Sequence, residues 1–193
     1  MIDIPFNGSC KARYNAVLDL SFDEGSITEP VTKDEVKAYC KLNSGTSEDS
    51  ILDMLITSAR EQCEEYSGIS FIEREITATV TNLDGGIFLP YGPVTLPITS
   101  IKDQYGDDIE NYKISGTQFP QLIYPHDQRI ELVYDAGYQD LPQQLKLAIL
   151  QQVFYLYQNR GEISEVTRVG IPTETSLSQQ AKATLKRLRR VGL

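Results

Sequence analysis

The hydrophobic period of this chain changes twice, and that limits the folds open to it. Ahead of Gly68, Ile51, Leu52, Leu55, Ile56, Ala59, Cys63 and Tyr66 recur at helical spacing and fill one broad face. From Ile69 to Gly137 the period becomes two. In "EITATVT" Ile76, Ala78 and Val80 alternate with threonines; in "RIELVYDAG" Ile130, Leu132, Tyr134 and Ala136 point one way and Arg129, Glu131, Val133 and Asp135 the other. Helical spacing then returns. A run of strands set between helices predicts an α+β fold: a small bundle of long α-helices, an inserted antiparallel β-sheet or sandwich, and a C-terminal helical arm.

Local signals place the elements. Thr32-Lys33-Asp34-Glu35 is a capping-box pattern opening a helix over 32–42. After the turn "NSGTS" a second helix runs over 47–67, with Glu48 and Asp49 at its positive end and Gly68 as its stop. Asp84-Gly85-Gly86 is a turn followed by "IFLP", and "SIKDQ", "NYKIS" and "QLIY" are short strand candidates between Gly, Pro and Asp turns. A third helix covers 141–160, with Asp140 as its cap and Pro142 in its first turn. The organisation is therefore an N-terminal arm (1–30), a core (31–160) with its β insertion at 69–137, a polar linker (161–176), and a helix at 177–193.

The third helix is apolar on nearly every side. Leu145, Ala148, Ile149 and Leu156 form a core stripe, whereas Leu147, Leu150, Phe154 and Tyr157 lie opposite it. Such a helix needs cover on both faces. The first two helices supply one cover; the sheet or another subunit supplies the second.

Charge is distributed unevenly. The chain of 193 residues has a formal net charge of −9; residues 173–193 hold five basic side chains and one acidic, which leaves −13 for residues 1–172. Leu177, Ala181, Leu185 and Leu188 fall at helical spacing, with Lys182, Lys186, Arg189 and Arg190 opposite and Arg187 at the edge. A nucleic-acid contact through this tail works against the acidic remainder. A membrane-surface helix lacks bulky anchors here. A docking helix has its apolar stripe, basic flanks and a linker for reach; a helix folded back on its own acidic body is the competing reading.

Other function classes find little material. No 18-residue apolar run is present, so no membrane span is expected. The first residues lack a basic head with an apolar stretch, which leaves Asn7-Gly8-Ser9 a glycosylation sequon by pattern only. Cys10, Cys40 and Cys63 are odd in number and lack ligand spacing, as expected of reduced thiols in a cytoplasm. In "YGDD" (Tyr105–Asp108) the adjacent Asp107 and Asp108 have metal-binding chemistry, but Gly-Asp-Asp is also a common hairpin turn. His126 beside Asp127 reads as a loop histidine, since no exposed nucleophile motif accompanies it. Neither an enzyme nor a cofactor is expected.

The ordered set "EPVTKDEVKAYCKL", "EDSILDMLITSAREQCEEYSGISFIERE" and "VYDAGYQDLPQQLKLAILQQVFYLYQNRGE", over roughly 29–163, resembles the head–tail connector (portal adaptor, head-completion) proteins of tailed bacteriophages. The resemblance implies a structural virion protein at the head–tail junction, made in the host cytoplasm. It implies a homo-oligomeric ring, of about twelve copies after the portal's symmetry, with the portal and a tail or head-closure protein as partners. Genomic DNA would pass through the ring's channel without sequence-specific binding, and no membrane would be involved. A C-terminal arm in contact with the portal would give Leu185 and Leu188 apolar anchorage and Lys186, Arg187, Arg189 and Arg190 steering. Leu147, Leu150, Phe154 and Tyr157 would face a neighbouring subunit. A head-closure or tail-completion protein is the near alternative; a DNA-binding module or a small metal-dependent enzyme using Asp107, Asp108 and His126 are remoter ones.

Overall fold

The structure, a computed structural model, describes residues 16–23, 25, 28–43, 45–82, 86–116, 120–124, 128–159 and 177–188. In chain order its elements are β1 (Ala16–Phe22), α1 (Lys33–Cys40), α2 (Asp49–Ser67), β2 (Arg74–Asn82), β3 (Gly86–Phe88), β4 (Ser100–Asp103), β5 (Lys113–Ser115), β6 (Gln121–Ile123), β7 (Gln128–Ala136), α3 (Gln143–Gln158) and α4 (Gln179–Leu185). The fold is α+β, with a helical layer and an antiparallel sandwich, each with its own core.

The sandwich follows from the period-two pattern. One sheet has the order β1-β2-β7-β4 and the other β3-β6-β5, all pairs antiparallel. Because Ile76 pairs with Tyr134, Ala78 with Leu132 and Val80 with Ile130, the apolar faces of β2 and β7 coincide. All six side chains are buried, together with Ile87 and Leu122 from the second sheet. The segment expected to be an N-terminal arm contributes β1, which pairs with β2 and turns Leu20 and Phe22 toward the same core. Its register shifts between Val17 and Asp19, a bulge that breaks the alternation of "AVLDLSF".

The helical layer is centred on α3, which packs against α1, α2 and α4. Thr32 and Glu35 form the expected capping box: the Glu35 amide donates to Thr32 Oγ1 at 3.2 Å and the Thr32 amide to Glu35 Oε2 at 2.7 Å. Gly68 ends α2 in the left-handed conformation, φ 66°. The start of α3 differs from expectation. Its N-cap is Pro142, not Asp140, since the Pro142 carbonyl already accepts from the amides of Leu145 and Lys146. Gly137 has φ +129°, and a Cβ there would lie 2.0 Å from the Ile72 carbonyl oxygen. Only glycine lets the chain leaving β7 pass so close to the α2–β2 connection.

A buried ionic network ties the two layers. Glu64 Oε2, on α2, accepts from Arg60 Nη1 at 2.7 Å and from Arg74 Nη2, at the start of β2, at 3.0 Å. Glu64 Oε1 accepts from the Phe71 amide at 2.6 Å, and Arg60 Nε donates to Glu29 Oε2 at 3.0 Å. The Arg74 guanidinium lies 3.9 Å over the ring of Phe22, which brings β1 into the same cluster. Burial pushes the Glu64 carboxyl above the usual range, against the pull of Arg74, Arg60 and the Phe71 amide.

Candidate functional site

Three surface features are built on this frame. The first is an open cleft of about 600 Å³ where the sandwich meets the helices, with Asp23, Glu73, Glu75 and Asp140 on its walls alongside Arg74 and Lys146. None of the described lining residues is His, Cys or Ser. Arg74 is already bound to Glu64, so the cleft offers an acidic rim rather than a set of reactive groups.

The second feature is the outward ridge of α3. Leu145, Ala148, Ile149, Gln152 and Val153 turn into the helical core. Of the residues expected to face another subunit, Leu150 and Tyr157 are half-buried against this same core, and the Tyr157 hydroxyl donates to Glu48 Oε2 at 2.6 Å. Phe154 is half-buried and meets Tyr39 of α1 edge-on, with ring centroids 6.2 Å apart. Leu147 remains 40% exposed, as do Tyr155 at 41% on the same helix and Tyr39 of α1 at 38%. Cover for α3 thus comes mainly from α1, α2 and α4 of its own chain, leaving a narrow apolar strip outward.

The third feature is the C-terminal helix. Residues 177–188 fold back on the body: Leu177, Ala181 and Leu185 are buried in the helical core, and Leu188 is half-buried against it. The apolar anchorage expected of Leu185 at a partner's surface is thereby corrected, because its side chain has no exposed area and packs within the chain. Lys186 and Arg187 are exposed; Arg189 and Arg190 lie outside the described residues.

Polar contacts that the sequence did not signal fix α4 in place. Gln152, fully buried, accepts from the Ser178 amide at 2.8 Å and donates to Gln62 Oε1 at 2.7 Å. Ser178 Oγ caps α4 by accepting from the Ala181 amide, and Thr184 Oγ1 donates to Gln151 Oε1 at 2.9 Å. A glutamine inside an otherwise apolar stripe is the trace of this arrangement in the sequence.

The residues of the remoter readings are not brought together. Asp103 Oδ1 accepts from the amides of Tyr105 and Asp107, so "YGDD" is a turn following β4, with Gly106 at φ 89°. His126 lies outside the described residues. Among the described residues no group of three His, Cys, Asp or Glu side chains is placed to hold a metal ion. Cys63 is buried, and burial pushes its thiol up to about 12. No helix among the described residues is long and apolar enough to cross a membrane.

The model of the head completion protein family (HCP) matches residues 29–191. The chain belongs to that family. The resemblance carried by its two opening helices and its "AGY…LP…LYQNRG" block therefore holds. The chain also shares its fold with a chain in the neck of an empty gene transfer agent (GTA) particle computed with C6 symmetry. That pair has a TM-score of 0.69 at 17% identity, over 91% of this chain and 97% of the other. A chain of the virion of a native GTA particle gives a TM-score of 0.65 at 18% identity, over 90% and 96%. One from the neck of a native particle computed with C12 symmetry gives 0.57 at 17%, over 84% and 94%. No curated protein matches.

Proposed function

We propose that this chain forms a ring between the portal and the tail or the next connector, extending the DNA channel at the head–tail junction. The observation that carries the reading is the family match across residues 29–191, and the likeness to neck chains over nearly their whole length supports it. In such a ring each copy presents two different surfaces that close by rotation. The α3 strip of Leu147 and Phe154, flanked by Leu150 and Tyr157, is one of them. A wall drawn from a body of charge −13 repels the DNA that must slide past it. Copy number follows the portal, twelve in the reading favoured here, and the role is structural rather than catalytic. A head-closure position in the same neck is the second reading, favoured by the family's own description.

Portal docking is assigned to the basic end, Lys186 and Arg187 with Arg189 and Arg190, and Leu188 at its base. Because α4 is part of the helical core, deleting it would confound docking with folding. The test is therefore native mass spectrometry with the portal oligomer, comparing the full chain with a variant carrying Ser at positions 186, 187, 189 and 190. The full chain is expected to bind stoichiometrically and the variant to bind more weakly at low salt. Equal binding by both at low and moderate salt would remove the basic end from the interface, and failure of both would remove the portal as partner.

A further inference from the structure

We propose that α4 is exchanged between neighbouring copies, each helix occupying the seat of the next subunit in the ring; this rests on the ring reading above. The seat is a defined one. It consists of the Gln152 side chain bridging Gln62 and the Ser178 amide, the Gln151–Thr184 contact, and an apolar recess filled by Leu177, Ala181 and Leu185. A helix of seven residues does not hold its shape alone in water, so α4 needs a seat on some body. Every copy in a ring offers an identical seat, and exchange preserves every contact seen within the chain.

Chain length argues for exchange. The Ser178 amide is bonded to Gln152, which lies seven residues, or about 10 Å of helix, before Asn159. Four or five residues would close that gap. The 17 residues numbered 160–176 reach about 55 Å when extended, whereas a globular chain of this size is about 40 Å across. The connection is thus far longer than its own seat requires and long enough to reach the next one. Reach toward the portal does not account for the length either, because it precedes the seated helix and the basic end follows it. The entropy of closing a connection grows only slowly with its span, so a neighbour's seat competes with the chain's own once copies are held side by side.

The test separates donor and acceptor. One chain carries Gln151→Cys and a second carries Thr184→Cys, both at half-exposed positions, with Cys10 and Cys40 changed to Ser and the buried Cys63 retained. The two are mixed equally, assembled on the portal, sized by native mass spectrometry and treated with a short bis-maleimide. A covalent dimer of the two chain types is the expected result. The free double variant, Q151C with T184C, should cross-link within one chain and supplies the control. An assembled ring without covalent dimers, beside a positive control, overturns the exchange and leaves the ring intact. Absence of any oligomer overturns both.

Discussion

Replacing Glu64 with Ala tests whether the ionic network holds the helical layer to the sandwich. The Glu64 side chain is 3% exposed, and those of Arg60 and Arg74 are 2% and 8% exposed. Removing the carboxylate leaves Arg60 with Glu29, and with Glu61 at 3.6 Å, while Arg74 keeps Ser70 Oγ and the Phe22 ring among the described residues. The Phe71 amide loses its acceptor altogether. Breaking a buried pair from one side costs about 3–5 kcal/mol, because the surviving charge stays desolvated. For a chain of this length that is a fall in melting temperature on the order of 10 °C. Urea unfolding followed by tyrosine fluorescence and by far-ultraviolet circular dichroism provides the assay. The two probes should separate in the variant, since the helical layer loses its link to the sandwich. A Glu64→Gln variant, which keeps the shape but not the charge, should lose nearly as much. A loss below about 1 kcal/mol with coincident probes would show that the guanidiniums reach water on their own, and would refute the role of the network as a clamp.

Three further outcomes are expected. Gly137→Ala should cost at least about 3 kcal/mol in urea titrations, combining φ +129° with a Cβ 2.0 Å from the Ile72 carbonyl; a loss under 1 kcal/mol would mean that the β7–α3 junction shifts freely. Glu35 has its carboxyl held below the usual range, chiefly by the Thr32 amide, so its contribution is present above pH 4.5 and fades as pH falls through the lower folded value. Glu35→Gln should accordingly destabilise by about 0.5 kcal/mol at neutral pH, with the gap to wild type closing in acid; a gap that widened in acid would contradict the assignment. Leu147→Asp should leave the melting temperature of the free chain within about 2 °C, because the side chain is already 40% exposed, yet prevent oligomer formation in native mass spectrometry. Normal oligomers would take the α3 strip out of the interface.

What was legible in the sequence was local. The Thr32–Glu35 box, the Gly68 stop and the alternation of β2 and β7 each depend on residues within a few positions of one another, and the structure contains all three. β1 was missed because the register shift between Val17 and Asp19 breaks its alternation: Val17 and Leu20 pair with Val80 and Ala78, two positions apart on β2, yet stand three positions apart themselves. The clamp was missed because it is shared among elements: Arg60 and Glu64 stand one turn apart on α2, but Arg74 lies ten positions past Glu64 in β2 and Glu29 is 31 positions before Arg60. The seat of α4 joins Gln62 and Gln152, 90 positions apart; the place of Gln152 inside an apolar stripe is the local trace, and it does not say which partner the amide meets. Periodicity correctly marked the apolar stripe of residues 177–188 but carries no information on whose surface the stripe meets.

That last ambiguity changes the meaning of the basic cluster. Thr184 is bonded to Gln151, and Gln151 lies one helical turn from both Leu147 and Tyr155. The chain therefore enters its basic end at Lys186 and Arg187 beside the exposed strip of α3 rather than at the far end of a tether. Apolar contact and positive charge, expected from the sequence to serve two separate interfaces, share one neighbourhood. A partner with an apolar edge and an acidic border would engage both at once, with Leu147 and Tyr155 in the anchoring role that Leu185 gives up to the core. The two halves of such an interface respond differently to salt: charge contributes to encounter and is screened, whereas the apolar strip is not. If both serve the portal, Leu147→Asp and the basic-end variant should each weaken the same complex, with only the wild-type and L147D affinities falling as salt rises. If the strip serves the ring alone, L147D should break the oligomer while a single copy's attraction to the portal keeps its salt dependence.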